Sequence, residues 1–197
     1  MQRIEFQDKN GSDSMQNAKK RPVGFTDGRE AVGQFTILGL ASRRDLRYNV
    51  RTKKLEREGL TVIQIIFGKK GSGKTKRILD MANASIQEAK GNVLFVDDGR
   101  SYTINLKPQV RFIDASEYAV KGKDSFYGFI AGILAGNYDI SYLFVDGFLK
   151  LAGSDEAGLV EMMAKLEKLT KDAGTILVLS YSEDAENVPE SIRKFAI

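Results

Sequence analysis

Five short apolar runs alternate with longer amphipathic stretches between residue 61 and the end of the chain. The runs are TVIQIIF over 61–67, VLFV over 93–96, VRFI over 110–113, YLFV over 142–145 and TILVL over 175–179. Most are continuously apolar rather than alternating, so each predicted strand is expected to be buried on both faces, which is typical of a parallel sheet.

Residues with helical spacing fill the gaps between these runs. Helices are predicted over 74–90, 125–135, 155–173 and, at the end of the chain, 189–195. Strands that alternate with helices predict an α/β fold with right-handed crossovers. We therefore expect a three-layer sandwich with a mostly parallel sheet, formed by residues 61–197.

The segment between the first predicted strand and the first helix reads GKKGSGKT and fits the pattern G-x-x-x-x-G-K-[ST]. Its glycines allow several backbone N–H groups to face one anion, and the following helix N-terminus adds partial positive charge. Lys74 is expected to reach the β- and γ-phosphates of a nucleotide, and the Thr75 hydroxyl is expected to bind Mg²⁺. The predicted nucleotide-binding residues are Gly68, Lys69, Lys70, Gly71, Ser72, Gly73, Lys74 and Thr75.

A second acidic position follows the fourth predicted strand, where four apolar residues precede Asp146. A carboxylate at the end of a core parallel strand faces the ligand side of the sheet, where it can hold Mg²⁺. Asp97 ends the second strand in the same way and is the rival for this role. We assign the metal to Thr75 and Asp146.

The residue after Asp146 is Gly147, whereas many hydrolysing ATPases have a water-activating Glu there. The candidate catalytic bases are then Asp97 and Asp98, with Glu156 as a weaker candidate, and slow hydrolysis is expected.

Two further residues have alternative interpretations. Ser180 ends the last strand, where it acts either as a γ-phosphate sensor or as a hydroxyl that satisfies the backbone. Arg100, just beyond Asp98, is placed to contact phosphate, although nothing in the spacing demands it.

The amino-acid composition limits which catalytic and metal-binding groups the chain can use. The chain has no Cys and no His, which excludes disulfides, thiolate or imidazole metal sites and His-dependent triads. The net charge of +4 comes from the first third, since residues 1–61 carry 13 Lys/Arg against 8 Asp/Glu and residues 62–197 carry 17 against 18.

Residues 1–60 are predicted to be a basic, disordered or weakly structured extension, with a basic run over 43–57. This run is either a solvated tail or an arm that contacts nucleic acid or anionic lipid. Alternatively, Arg57-Glu58-Gly59 can be encoded by a ribosome-binding sequence and Val62 by a GTG start codon. The native protein would then begin near Val62.

No secretory signal and no apolar run of membrane-spanning length is visible in the sequence, so we expect a cytoplasmic protein. Gly128, Gly132 and Gly136 recur every four residues in the predicted helix over 125–135. We expect them to let this helix approach the sheet closely, and a homodimer through them is the weaker alternative.

Several motifs together resemble a known family. They are IIFGKKGSGKT, VLFVDDGRSY, IDASEY, FYGFIAGI, YLFVDGFLK and PESIRKF. With them, residues 62–197 resemble a family of small P-loop ATP-binding proteins of Gram-positive bacteria, sometimes catalogued as "twitching motility protein PilT". The resemblance implies a P-loop NTPase fold and nucleotide binding without an established reaction.

Three functions are consistent with these features. The first is an ATP- and Mg²⁺-binding switch or assembly factor that hydrolyses ATP slowly; ATP is favoured over GTP because the sequence lacks N-K-x-D. The second is a small-molecule kinase with Asp97 or Asp98 as base. The third is a nucleic-acid adaptor that uses the basic arm.

Overall fold

The computed structural model describes residues 61–197, and they form an α/β fold around one sheet. Within this range the sheet has five strands, in the order β1-β5-β4-β2-β3, and every neighbouring pair is parallel. The strands are β1 (Ile63–Phe67), β2 (Asn92–Asp97), β3 (Val110–Asp114), β4 (Ile140–Val145) and β5 (Ile176–Tyr181). The prediction of an α/β fold with a parallel sheet is confirmed. The predictions for residues 1–60, including the basic run over 43–57, lie outside the described residues.

Five α-helices connect and cover the strands of the described region. They are α1 (Lys74–Ser85), α2 (Lys123–Gly136), α3 (Phe148–Ala152), α4 (Glu156–Ala173) and α5 (Glu190–Arg193). None of them combines the length and the apolar character that crossing a bilayer requires. Helix α3 was not predicted from the sequence, and the predicted end of α1 lies too far along the chain.

Helix α1 ends at Ser85, five residues before the predicted end. The Ser85 hydroxyl donates to the carbonyl of Ala82 at 2.9 Å, and the Gln87 amide donates to the carbonyl of Ala84 at 3.1 Å. The Gln87 bond spans i to i−3 and tightens the backbone after Ser85, and the Ser85 hydroxyl competes for a carbonyl of the last turn, so the regular helix ends before Gly91.

Alternate residues of the strands enter two separate hydrophobic cores, which explains why the strands are continuously apolar. On one face of the sheet, Phe95, Phe144 and Val178 pack with the buried side of α1. On the other face, Val96, Val145 and Leu179 belong to the core that α2, α3, α4 and α5 cover. The helices therefore lie on both faces of the sheet.

The glycines of α2 do not face the sheet. Its buried residues are Phe126, Ile130 and Leu134, whereas Gly128, Gly132 and Gly136 are exposed, and a Cβ added to any of them would meet nothing within 4 Å. The expected close approach to the sheet is wrong, because the small residues lie on the opposite side of the helix from the apolar stripe.

The outer edge of β1 is covered by the end of the chain. Ile65 donates its amide to the carbonyl of Phe195 at 2.8 Å and accepts from the amide of Ile197 at 3.1 Å. This short parallel pairing fixes β1 from the side opposite β5. The strand that leads into the glycine-rich loop is therefore held on both edges.

Candidate functional site

The loop from Gly68 to Gly73 connects the carboxyl end of β1 to the first turn of α1 and is neither helix nor strand. Gly73 caps the helix with φ +88°, a conformation that L side chains rarely adopt. No side chain caps the first turn, and no acidic residue lies in it. The free N–H groups and the positive end of the helix dipole are thus left available to an anion.

The Lys74 side chain lies back over this loop. The residue is only 8% exposed, and its ammonium donates to the carbonyl of Lys69 at 2.8 Å. A second bond across the loop, from the Ser72 amide to the same carbonyl at 3.1 Å, closes the turn. The positive charge is therefore held at the loop by a neutral acceptor, which an anionic ligand can outcompete. Thr75, the next residue, is half-buried.

Gly68 has to be glycine for two reasons. Its φ is +150°, and an added Cβ would lie 2.5 Å from Oγ and 3.3 Å from Cβ of Ser72.

The loop also depends on the segment after β5, because the Gly68 amide donates to the carbonyl of Glu183 at 2.9 Å. The Lys69 ammonium lies 2.9 Å from the Asp184 carboxylate and forms an ion pair with it. In this structure Lys69 is therefore engaged by Asp184 rather than directed at the loop. Sequence reasoning missed Glu183 and Asp184, which no motif marks.

Three predicted site residues occupy one row across the sheet. Val96 pairs in register with Val145, and Val145 pairs with Leu179, so the next residues, Asp97, Asp146 and Ser180, lie at the same level at the carboxyl ends of neighbouring strands. The preceding residues belong to the core under α2 to α5. Because side chains alternate along a strand, this row faces the side on which α1 packs.

The same row continues to the strand that precedes the glycine-rich loop. Ser180 is the register partner of Ile66, two residues before Gly68. Strands in a sheet are about 4.8 Å apart, so the backbone positions of Asp146 and Ile66 are separated by roughly 10 Å. The fold thus brings the predicted metal ligand to the same sheet edge and the same face as the loop.

Asp146 is 6% exposed and held by three hydrogen bonds. Its amide donates to the carbonyl of Val96 at 2.9 Å. Its Oδ1 accepts from the Ser180 hydroxyl and, at 3.0 Å, from the Gly147 amide. Both side-chain bonds use the same oxygen, so Oδ2 is the oxygen that remains for a cation.

Asp97 and Asp98 differ in their surroundings. Burial raises the pKa of Asp97 above its ordinary value, and the neighbouring charge of Asp146 adds to this effect, while the Asp98 amide, which donates to its Oδ1 at 2.8 Å, opposes it. Asp98 instead forms an ion pair with Lys150 of α3 at 2.6 Å. Of the two candidate bases, Asp97 is the one beside Asp146, the predicted metal ligand, whereas Asp98 is the one paired with a lysine.

Two weaker candidates are placed differently. Arg100 pairs with Glu117 and, at 3.5 Å, with Asp114, so its guanidinium is already bound to carboxylates on the β3 side. Glu156 lies exposed in the first turn of α4. Neither is brought into the row that Asp97, Asp146 and Ser180 form.

The donor set suits Mg²⁺ in a complex with phosphate. The Thr75 hydroxyl and the Asp146 carboxylate are both hard oxygen ligands of the kind that Mg²⁺ prefers. Among residues 61–197, no group of three or more acidic side chains forms a metal cage. Mg²⁺ commonly takes one or two protein ligands and completes its shell with phosphate and water, so two ligands fit this ion.

A scan of the chain against models of known protein families finds no match, and a search of the curated proteins finds no similar sequence. The resemblance inferred from the sequence motifs therefore stays a prediction.

Proposed function

We propose that residues 61–197 form a P-loop NTPase-type domain, a three-layer sandwich that binds ATP with Mg²⁺. The observation that carries the proposal is the buried Lys74 side chain, whose ammonium is held at the Lys69 carbonyl, beside a helix N-terminus that no side chain caps. Such a loop offers backbone N–H groups, a helix dipole and one lysine charge to the same anion. A triphosphate matches this arrangement better than a single carboxylate, because it offers several anionic groups, one for the loop amides and another for the Lys74 ammonium.

Within this proposal each residue has a distinct task. The loop amides bind the inner phosphates, and Lys74 moves from the Lys69 carbonyl to the β- and γ-phosphates. Thr75 and Asp146 hold Mg²⁺, which when bound would neutralise charge on the phosphate oxygens. Asp97, raised in pKa by burial, is the best-placed acceptor for a proton from the attacking water.

Slow turnover follows from the same geometry. The position after Asp146 is Gly147, which has no side chain to orient water, and Asp98 is engaged by Lys150. We infer that the protein acts as a nucleotide-dependent switch or assembly factor rather than as a fast motor. The Asp98–Lys150 pair links the loop after β2 to α3, so contacts to the γ-phosphate would shift two neighbouring loops together.

The direct test is isothermal titration calorimetry of ATP and GTP with Mg²⁺ against the wild type and Lys74→Ala. Lys168→Ala, on the opposite side of the sheet in α4, is the matched control for loss of one lysine. We expect ATP to bind the wild type and the control equally, and Lys74→Ala to weaken binding by 100-fold or more, about 3 kcal/mol. Equal binding to wild type and Lys74→Ala would refute the proposal.

The rate of phosphate release, measured with and without acceptor compounds, distinguishes the proposed switch from the alternative function, a small-molecule kinase. We expect release at a low rate that candidate acceptor hydroxyl compounds do not change. Rapid turnover that depends on an acceptor would instead establish transfer of the γ-phosphate to that compound. A nucleic-acid role for residues 43–57 is tested by deleting residues 1–60 and repeating DNA and RNA binding.

A further inference from the structure

Ser180 and Asp146 form the most enclosed polar contact at the carboxyl edge of the sheet. Ser180 is 1% exposed and Asp146 is 6% exposed. The Ser180 hydroxyl donates to Oδ1 of Asp146 and accepts from the Gly147 amide at 2.9 Å. Since a serine hydroxyl has a single proton, Ser180 has no donor left for a phosphate oxygen while this contact is intact.

The neighbours of this contact make it rigid. Ser180 and Asp146 lie side by side at the carboxyl ends of adjacent parallel strands, and the Gly147 amide also donates to Oδ1 of Asp146. Three groups thus close a small ring of hydrogen bonds around one carboxylate oxygen. The ring fixes the rotation of the carboxylate, and Oδ2 is left as the oxygen with neither of these bonds.

We propose that Ser180 is a positioning residue for the metal: it orients the Asp146 carboxylate so that Oδ2 binds Mg²⁺ directly or through a water molecule, and it does not sense the γ-phosphate. This inference rests on the proposed nucleotide-binding function. Hydrogen bonds that orient a metal ligand typically account for a 10- to 100-fold difference in metal affinity.

The test measures metal and nucleotide affinity separately. Mn²⁺ replaces Mg²⁺, and free Mn²⁺ is followed by electron paramagnetic resonance in the presence of saturating ATP. ATP and ADP binding are then measured in EDTA. We expect Ser180→Ala to weaken Mn²⁺ binding about tenfold, while metal-free ATP affinity and the ATP-to-ADP preference stay within about twofold of the wild type.

Two further variants control for structural damage. Ser180→Cys keeps the site filled but replaces the hydroxyl by a weak hydrogen-bond donor. It should therefore lose Mn²⁺ affinity to the same extent as Ser180→Ala, without the cavity that alanine leaves. Thr175→Val removes another buried hydroxyl of the β5 region, which donates to the Ile140 carbonyl at 2.9 Å near the opposite edge of the sheet. It should leave Mn²⁺ affinity unchanged.

Each outcome decides between distinct conclusions. Unchanged Mn²⁺ affinity in both Ser180 variants overturns the inference while the proposed function stands. Loss of ATP affinity relative to ADP in EDTA overturns it in favour of a γ-phosphate sensor. A wild type that binds neither ATP nor Mn²⁺–ATP refutes the proposed function itself, and the inference with it.

Discussion

Asp97, the last residue of β2, and Asp146, directly after β4, lie at the same level of the sheet, one residue beyond the register pair Val96 and Val145. Burial is the main cause of the raised pKa of Asp97, and the neighbouring negative charge of Asp146 raises it further. A raised carboxyl pKa beside a metal ligand is typical of a group that exchanges a proton during a reaction. Within the proposed function, the pair therefore divides into Asp146 as the metal-binding carboxylate and Asp97 as the proton acceptor.

The first prediction follows from this pair and its neighbour. Asp97→Asn should slow phosphate release about 100-fold, the usual contribution of a general base, because the amide cannot accept the proton. Asp98→Asn should change the rate by less than about threefold, since the Asp98 carboxylate is engaged by Lys150. Phosphate release under single-turnover conditions measures both variants. A larger effect at Asp98 than at Asp97 would reverse this assignment.

The second prediction compares two glycines of opposite character. Gly68→Ala should destabilise the protein by about 1–3 kcal/mol, the cost of one strained residue, and abolish ATP binding. Its φ is +150°, and the new Cβ would collide with Ser72. Gly128→Ala, on the exposed side of α2, should instead stabilise the protein by about 1 kcal/mol without affecting ATP binding. Urea unfolding and calorimetry distinguish the two; a stable, ATP-binding Gly68→Ala protein would contradict the loop geometry.

Local patterns were sufficient to predict most of the architecture. The apolar runs located both ends of all five strands to within two residues, because a buried strand leaves a strong signal in the sequence. The glycine-rich loop was also visible, since its positive φ values require specific residues at fixed positions. The location of Asp146 and Ser180 on the same edge of the sheet as this loop was predictable, because strand ends of a parallel sheet share one edge.

Long-range pairing was not visible in the sequence. Nothing local indicates that β5 lies between β1 and β4, or that Glu183 and Asp184 contact the loop at Gly68 and Lys69. Helix α3 has only five residues, too few to show a helical period. The glycines of α2 were misinterpreted because spacing four apart identifies one face of a helix but not what that face contacts.

The third prediction separates the two lysines of the loop. Lys69 is exposed and paired with Asp184, whereas Lys74 is buried against the Lys69 carbonyl. Lys69→Ala should weaken ATP binding by less than about tenfold, while Lys74→Ala should weaken it by 100-fold or more. Calorimetry at 50 mM and 300 mM salt measures the difference. A Lys69→Ala effect as large as that of Lys74→Ala would show that Lys69 leaves Asp184 to bind phosphate.

The fourth prediction concerns Asp114 at the end of β3. The Ser116 hydroxyl, 2.6 Å from its Oδ1, is the main cause of a lowered pKa, and the Ser116 amide at 3.0 Å contributes. A carboxyl group whose pKa is lower in the folded protein stabilises the fold above its ordinary pKa of 3.8, and this contribution is lost as the pH falls through the lowered value. Asp114→Asn should therefore lower Tm at pH 7, and the difference in Tm between this variant and the wild type should shrink as the pH falls below about 3.8.

Ser116→Ala, which keeps the Asp114 charge, should reproduce part of the loss in Tm. Thermal unfolding between pH 7 and pH 3 checks this; a Tm difference that grows towards acid pH would show that the Asp114 charge does not stabilise the fold.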